Sequence, residues 1–248
     1  MEWIWPLLAA PLVGSFLGVV ITRLPAGRAV ALGRSQCEHC AVTLASYDLV
    51  PLLSFAVLRG RCRGCKAAIA PFHWQVELAA LLVPASALIA GLTGPPLWAA
   101  CGAGWALLAL GWIDCNTMTL PDALTLPLIP AGLLATWWLD AEALTEHALA
   151  AALGYTALRG VALLYRRLRG RDGMGEGDAK LLAALGAWVG LADLPTVLLG
   201  AALAGLAWAL LLRLRGVALT ASTALPFGPF LALSGWFVLL RALHDAAA

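Results

Sequence analysis

Long apolar segments separated by short polar connections make up most of the chain. A bilayer core about 30 Å thick requires roughly 20 apolar residues in a helix that crosses it. Eight segments come close to this length and are predicted to span a membrane: residues 3–22, 77–93, 96–113, 123–139, 147–165, 179–192, 195–212 and 224–241. The pattern therefore predicts an all-α polytopic membrane protein with about eight transmembrane helices.

The composition agrees with this fold class. Hydrophobic residues make up 62% of the chain and charged residues 12%, whereas a soluble domain has about 45–50% apolar and about 25% charged residues. The net charge of +2 is too small to indicate a nucleic-acid-binding protein, so the basic residues are attributed to topology and to anionic membrane lipids. We expect the first span to be a retained helix, because a basic leader and a small-residue cleavage site are lacking.

The positions of Lys and Arg predict the orientation of the spans. Of the 16 basic residues, all except Arg241 fall on one side of the eight-span topology. Short cytoplasmic loops retain Lys and Arg. The basic loops are therefore predicted to face the cytoplasm, and both termini to lie on the other side. Four acidic residues fall in loops on that outer side: Asp140, Glu142, Glu146 and Asp193.

Two Cys-x-x-Cys pairs, Cys37 with Cys40 and Cys62 with Cys65, lie in the polar segment between the first two spans. Such pairs present thiolates from tight turns, and two of them complete a tetrahedral zinc site. A reducing cytoplasm argues against disulfides, and the polar surroundings argue against apolar filler. Four sulfur ligands leave no open position, so the zinc is predicted to be structural.

Two histidines and two further cysteines are the other candidate metal ligands. His39 and His73 are alternative ligands, although a solvated or hydrogen-bonded histidine fits the pattern better. Cys101 and Cys115 fall outside it and are predicted to be packing residues. The predicted organisation is a first helix at 1–22, a cysteine module at 23–76 and a membrane-embedded region at 77–248.

Asp114 and Asp178 lie at the ends of two predicted spans on the same side of the membrane. A charged group at the centre of a span costs roughly 2.5–3.5 kcal/mol, so chemistry explains the two carboxylates better than packing does. Aspartic catalysis requires two carboxyl groups that share a proton, one acting as a base on water and the other as an acid on the scissile carbonyl. The sequence thus indicates an intramembrane aspartic protease.

The residues beside the two aspartates leave a second interpretation open. Gly173, Gly175 and Gly177 permit irregular backbone next to Asp178, as an active site would require. Alternatively, Asp178 and Asp122 are N-caps of the helices that follow them, and Asp114 is a loop residue.

Several motifs occur in the order found in bacterial prepilin peptidases, the Gly-x-Gly-Asp class of aspartyl proteases, and the chain resembles that family nearly end to end. Besides the two cysteine pairs and Asp114, the shared motifs are at residues 14–25, 48–54, 58–63, 120–122, 175–186 and 226–230. The resemblance implies that Asp114 and Asp178 are the catalytic dyad. It further implies four supporting residues: Asp122, Gly175, Gly177 and Lys180.

The same resemblance implies two reactions in the bacterial inner membrane, at a site facing the cytoplasm. The first removes a short basic leader after a glycine from type IV prepilins or type II secretion pseudopilins. The second methylates the new N-terminus with S-adenosylmethionine, and the cysteine module is associated with this step. A basic leader is expected to be attracted to four acidic residues: Asp114, Asp122, Glu176 and Asp178.

This sequence departs from the family pattern in two places. Gly18 stands where the family commonly has Asn, and Phe72-His-Trp replaces a basic-aromatic-Pro run before Glu77. Both departures fall in the region associated with methylation. The residues that bind the methyl donor stay unassigned from the sequence, as does the oligomeric state.

Two other functional classes remain in view. The aspartates are also compatible with a transporter or channel that moves protons or cations, although no acidic relay crosses the remaining thickness. A non-catalytic membrane scaffold stabilised by zinc would explain the cysteines but would leave the aspartates without a role. Neither His-Glu-x-x-His nor Gly-x-Ser-x-Gly occurs, so metalloprotease and serine-hydrolase chemistry are disfavoured.

Overall fold

The computed structural model describes residues 3–31, 35–37, 39–170, 175–218, 220 and 223–247. Arg34, Arg171 and Gly173, which entered the sequence predictions, lie outside these residues. The described residues form eight helices, two short 3₁₀ turns (Ser46–Leu49 and Ala141–Ala143) and no β-sheet. The helices are α1 (Ile4–Arg23), α2 (Leu53–Val57), α3 (Phe72–Ile89), α4 (Gly94–Thr117), α5 (Asp122–Leu139), α6 (Leu144–Arg169), α7 (Glu176–Leu214) and α8 (Gly228–Ala247).

The chain forms two compact units, residues 1–105 and 106–248. In the first unit α1 packs antiparallel against α3, because Gly14 lies beside Glu77 and Gly18 lies beside Phe72. A Cβ at Gly14 would stand only 2.6 Å from the Cα of Glu77. Glycine at this position therefore allows close contact between the two helix backbones.

In the second unit α7 packs against α5, α6 and α8. It contains 39 residues, and a straight helix of that length would measure about 58 Å, roughly twice the thickness of a bilayer core. Gly190 interrupts it with non-helical torsion angles, φ 78° and ψ 178°. Residues 176–189 and 191–214 are thus separate helical segments, here called α7a and α7b.

The neighbours of α8 show that the chain reverses direction at Gly190. Along α7a, Gly177 and Gly228 share Leu120 as a neighbour and Leu185 lies beside Gly235, so α7a runs parallel to α8. Along α7b the order is opposite: Gly200 lies beside Ser234 and Gly205 beside Phe230. The two segments of α7 are therefore antiparallel.

Side chains from α5 and α6 hold this reversal. The Glu146 carboxylate accepts the backbone N–H of Leu191 at 2.6 Å and of Ala192 at 3.2 Å. These groups have no partner inside α7b, and a carboxylate at a helix N-terminus is also favoured by the helix dipole. His147 Nδ1 lies 3.1 Å from the Ala187 carbonyl oxygen and 3.0 Å from Thr136 Oγ1.

The structure confirms the predicted fold class. Among the described residues, six helices are long and apolar enough to cross a membrane: α1, α3, α4, α5, α6 with its preceding turn, and α7. α8 has 20 residues but is not among the six, and it carries Arg241 and His244 near its C-terminal end. Arg241, the single basic residue predicted on the outer side, forms an ion pair with Asp193.

The observed helices differ from the predicted spans mainly at their ends. α3 begins five residues before the predicted 77–93 span, and α4 continues past Asp114 to Thr117. A span predicted from hydropathy ends at the first charged residue. The helix itself ends only where its backbone hydrogen bonds end, so it can continue past that residue. Met118 ends α4: its N–H still donates to the Asp114 carbonyl oxygen at 2.9 Å, but its φ is 53°.

Candidate active site and metal centre

Asp114 lies in the last turn of α4 and is 5% exposed. Its Oδ2 accepts the backbone N–H of Gly228, the first residue of α8, at 3.0 Å. The N-terminus of a helix offers unpaired N–H groups and a positive end of the helix dipole. The start of α8 therefore fixes one oxygen of this carboxylate and stabilises its negative charge.

Asp178 is the third residue of α7 and is 8% exposed. Its carboxylate accepts the backbone N–H of Gly175, the residue that caps α7. The interpretation of Asp178 as an N-cap is therefore wrong: Gly175 is the N-cap, and Asp178 bonds back to it from the third helical position, as in a capping box. Asp114 is likewise a helical residue of α4 and not a loop residue. Asp178 also lies close enough to Asp114 for the two carboxyl groups to interact electrostatically. The structure thus brings the two aspartates together.

Leu120 occupies the space beside both aspartates and is flanked by two glycines. A Cβ at Gly177 would stand 2.7 Å from Leu120 Cβ, and a Cβ at Gly228 would stand 3.2 Å from Leu120 Cδ2. A Cβ at Gly228 would also lie 2.7 Å from Asp114 Oδ2. The absence of a side chain at both glycines lets the ends of α7 and α8 approach Leu120 and Asp114.

Asp122 and Lys180 form an ion pair near the acid pair. Lys180 Nζ donates to Asp122 Oδ1 at 2.8 Å and to Oδ2 at 3.0 Å. Glu176 lies 3.6 Å from Lys180 Nζ, and its other oxygen lies 3.7 Å from Arg159. Asp122 is the first residue of α5, with Pro121 at the N-cap. Its carboxylate therefore links α5 to α7, and the interpretation of Asp122 as a helix cap is wrong.

The sequence predictions did not assign Gly228 or Leu120 to the site. Both belong to motifs quoted above, the Pro226-Phe-Gly-Pro-Phe230 run and Leu120-Pro-Asp122. A glycine followed by proline is typical of a helix start. The sequence contains no sign that the N–H of this glycine meets a carboxylate 114 residues earlier.

The four predicted zinc ligands form one cluster in the first unit. The sulfur atoms of Cys37, Cys40, Cys62 and Cys65 all lie within 4.8 Å of one another, and Cys37 Sγ is 3.8 Å from Cys65 Sγ. Tetrahedral zinc with sulfur ligands at about 2.3 Å would place the sulfurs roughly 3.8 Å apart. The residues therefore fit a zinc ion, and within the described part of the chain neither His39 nor His73 belongs to the cluster.

The two cysteine loops repeat one backbone pattern. The first cysteine of each pair donates its N–H to the carbonyl five residues later, at 3.0 Å from Cys37 and 2.8 Å from Cys62. The residue four positions after it has positive φ, 54° at Ala41 and 61° at Lys66. Isolated bridges then close both loops, Gln36 with Thr43 and Arg61 with Ala68. The cysteine spacing is evident from the sequence, whereas this repeated loop is evident only from the structure.

The remaining two cysteines lie elsewhere. Cys101 is fully buried in α4, as expected for a packing residue. Cys115 is exposed, which packing within the chain does not explain.

The fold and the site together define a class: polytopic α-helical membrane proteins with a pair of buried carboxylates at helix ends and a separate four-cysteine cluster. Two family descriptions match the chain: the Bacterial Peptidase A24 N-terminal domain over residues 8–90 and the Type IV leader peptidase family over residues 101–210.

Curated relatives cover nearly the whole chain, and three proteins named prepilin leader peptidase/N-methyltransferase illustrate the match. The Burkholderia pseudomallei (strain 1026b) protein is 41% identical, over 95% of this chain and 84% of its own length. The Pseudomonas aeruginosa protein is 39% identical over 94% and 88%, and the Aeromonas hydrophila protein 38% identical over 92% and 87%. No solved structure matches.

This chain belongs to the type IV leader peptidase family. The relatives give no support to the transporter interpretation of the two aspartates.

Proposed function

We propose that this protein is a membrane aspartic endopeptidase that removes the short basic leader of type IV prepilins or type II secretion pseudopilins after a glycine. It then methylates the new N-terminus with S-adenosylmethionine. The observation that carries the proposal is the pair of buried carboxylates, Asp114 and Asp178, each bound by a glycine N–H. The relatives' printed names supply both activities.

In this proposal Asp114 and Asp178 hold one proton between them. The ionised carboxylate takes a proton from water as the water attacks the scissile carbonyl carbon, and the protonated carboxyl group donates to the carbonyl oxygen. Because the Gly228 N–H binds Asp114 Oδ2, Oδ1 is the oxygen left for proton transfer. Gly177 supports Asp178 by letting the start of α7 approach Leu120, and Gly175 supports it through the backbone N–H that binds its carboxylate.

The surrounding charges support recognition of a basic leader. Besides the acid pair, Asp122 and Glu176 are about half exposed, with 56% and 49% of their side-chain surfaces accessible. Lys180 and Arg159 bind these two residues and fix their positions. Complementary charge of this kind speeds association and orients the substrate more than it adds affinity.

The zinc proposal assigns the metal to Cys37, Cys40, Cys62 and Cys65. The backbone N–H groups of Cys40 and His39 lower the pKa of the Cys37 thiol to about 6, which favours its thiolate. At Cys65 the Ala67 N–H lowers the pKa, but burial and the neighbouring sulfurs outweigh it and raise the pKa to about 11, so this thiol would lose its proton on metal binding. A zinc ion held by four thiolates would cross-link two short loops that have little core of their own.

The proposed placement is the bacterial inner membrane, with the acid pair and the cysteine loops facing the cytoplasm. The proposed division assigns residues 1–22 to the first membrane helix, 23–76 to the cysteine module and 77–248 to the peptidase region. The support is the distribution of basic residues. Residues Asp114, Asp122, Asp178 and Gly228 also lie together at one end of the helices of the second unit, and the Gly190 reversal lies at the other.

The function is tested by incubating the purified protein in nanodiscs with a leader-bearing prepilin and S-adenosylmethionine, and by reading the product masses. We expect loss of the leader after its glycine and a gain of one methyl group on the new N-terminus. An unprocessed prepilin under these conditions would contradict the proposed function. Cleavage without methylation would restrict it to the peptidase.

A further inference from the structure

A cavity of about 370 Å³ lies in the first unit, between α1, α3 and the cysteine module. Its volume falls within the roughly 300–1,000 Å³ of small-molecule sites. The residues that line it include Ser15, Gly18, Trp74 and Glu77, and the basic residues Arg23, Arg28 and Arg63 also belong to its wall. Neither residue of the acid pair is among them. The proposed peptide-cleaving site lies in the second unit, so peptide cleavage does not explain this cavity in the first unit.

Glu77 places a buried carboxylate at this cavity. The residue is 8% exposed, its Oε2 accepts the Leu52 N–H at 2.8 Å, and the Ser15 side chain lies close enough to interact with it. Within the described part of the chain, no Lys, Arg or His forms an ion pair with this carboxylate. Burying a charge without a counter-ion is costly. A cationic ligand would therefore supply the counter-ion that the Glu77 carboxylate lacks.

Aromatic rings line the same cavity. Phe55 and Trp74 pack with their ring centroids 6.2 Å apart and their planes at 43°. Ring faces attract cations, and aromatic cages bind onium groups in which the positive charge is surrounded by carbon. A carboxylate together with two aromatic rings therefore favours a ligand with an onium centre over a neutral one.

The cysteine loops form part of the cavity wall, which includes Cys37 and Cys62. Arg63, between the second pair of cysteines, donates to Asp48 Oδ1 at 2.8 Å and lies 4.9 Å from the centre of the Tyr47 ring. These contacts join the second cysteine loop to the Ser46–Leu49 turn. The shape of the cavity thus depends on the loops that the metal would hold.

We infer that this cavity binds the methyl donor, S-adenosylmethionine, with the Glu77 carboxylate facing its sulfonium and the rings of Phe55 and Trp74 around it. The inference rests on the methyl-transfer activity proposed above. In that reaction the lone pair of the new N-terminal amine attacks the methyl carbon. The carbon–sulfur bond breaks with its electron pair on sulfur, and the methylated amine releases one proton to water.

The products explain why a carboxylate suits this position. S-adenosylhomocysteine is a neutral thioether at the sulfur, so its attraction to Glu77 is weaker than that of the sulfonium. A site that recognises the sulfonium charge therefore favours exchange of the spent product for a new donor.

The charge contact is tested with Glu77→Gln in the full-length protein in nanodiscs. Glutamine keeps an oxygen that accepts the Leu52 N–H, so only the charge is removed. Binding of S-adenosylmethionine and of S-adenosylhomocysteine is measured separately by calorimetry. We expect at least about tenfold weaker binding of the sulfonium ligand and a change of about twofold or less for the thioether. Unchanged affinity for S-adenosylmethionine, or an equal loss for both ligands, would overturn the sulfonium contact.

The cavity itself is tested with Gly18→Leu. A Cβ at Gly18 meets nothing closer than 3.8 Å, so the backbone tolerates a side chain that then fills the cavity. We expect both ligands to lose binding at least about tenfold while prepilin cleavage continues; retained binding of both would place the donor elsewhere. Glu142→Gln, exposed and in the second unit, is the matched charge control for Glu77.

Failure of this inference is distinguishable from failure of the proposed function. A wild-type protein that cleaves and methylates prepilin, but binds the donor equally well after both substitutions, overturns the inference alone. A wild-type protein that leaves prepilin unprocessed overturns the proposed function.

Discussion

At the residue scale, backbone N–H groups of two glycines position the two buried carboxylates. Gly228 donates to Asp114, and Gly175 donates to Asp178. A side-chain donor would have to be ordered at an entropic cost, whereas these N–H groups are fixed by the start of a helix. Gly228 is the more constrained of the two, because a Cβ there would stand 2.7 Å from Asp114 Oδ2.

Gly228→Ala is therefore predicted to lower prepilin cleavage by about 100-fold or more, because the methyl group displaces the Asp114 carboxylate from its position. Initial rates of leader removal measure the effect. Gly102→Ala, in α4 with nothing within 4 Å of its Cβ, is the matched control and should cleave at the normal rate. A normal rate in Gly228→Ala would show that the carboxylate position does not matter for cleavage.

The sequence was sufficient to single out Asp114 and Asp178, because a carboxylate at a membrane boundary has few structural reasons to be there. It was not sufficient to give their partners. The Asp114–Gly228 contact joins residues 114 positions apart and depends on how helix ends meet. The pairing of Asp122 with Lys180, separated by 58 positions, was equally out of reach.

At the element scale, the reversal within α7 shows what hydropathy can and cannot locate. Two spans, 179–192 and 195–212, were predicted with the break near Asp193 and Pro195. The structure has two segments, but the break is at Gly190. Pro195 is the fifth residue of α7b, so it removes one backbone hydrogen bond near the start of this segment but does not end it. Glycine supplies the positive φ at the reversal itself.

Gly190→Ala is predicted to destabilise the protein by about 1–3 kcal/mol, since the residue has φ 78° and its Cβ would stand 3.0 Å from His147 Nε2. Thermal unfolding in nanodiscs measures the change. Gly160→Ala, in the middle of α6 with nothing near its Cβ, should instead be neutral or stabilise by up to about 1 kcal/mol. Equal melting temperatures for the two variants would contradict the strained reversal.

The two cysteine loops are predicted to bind zinc, and the metal content of the protein tests this. We expect about one zinc per chain in the wild type, and Cys62→Ser should release it because one missing ligand opens the tetrahedral site. Methyl transfer should fall more than cleavage, since these loops line the cavity of the first unit and the acid pair lies in the second. Elemental analysis and the two rates measure this.

Cys115→Ser, at an exposed cysteine outside the cluster, is the control for the metal experiment and should keep its zinc. Wild-type protein purified under reducing conditions without metal would contradict the zinc site. Equal loss of both activities in Cys62→Ser would show that the loops serve the whole enzyme.

At the scale of the whole molecule, the two buried carboxylates lie at one end of the helices of the second unit. Asp114 at the end of α4, Asp178 at the start of α7 and Gly228 at the start of α8 belong to the same end of the second unit. The fold class was predictable because membrane helices are read from long apolar runs. The sequence predicted only that these helix ends lie on the same side of the membrane. It did not predict which ends contact each other, because hydropathy contains no information about packing distances.

Thiol labelling of intact cells tests this orientation. Glu142→Cys, in the loop predicted outside, should react with a membrane-impermeant reagent, because acidic loops are free to cross the membrane. Arg169→Cys, at the end of α6, should react only after permeabilisation. The parent protein gives the background from the native cysteines. Labelling of Arg169→Cys in intact cells would reverse the topology and move the acid pair away from the cytoplasm.

The central claim is that Asp114 and Asp178 together perform the cleavage. It is tested most directly by the rate of leader removal from a prepilin by purified Asp114→Asn and Asp178→Asn, beside Asp245→Asn at an exposed position of α8. Asparagine preserves shape but carries no titrating proton, so each of the first two variants should lose at least about 100-fold in rate while remaining folded. Asp245→Asn should cleave normally. A normal rate for Asp178→Asn would contradict the assignment.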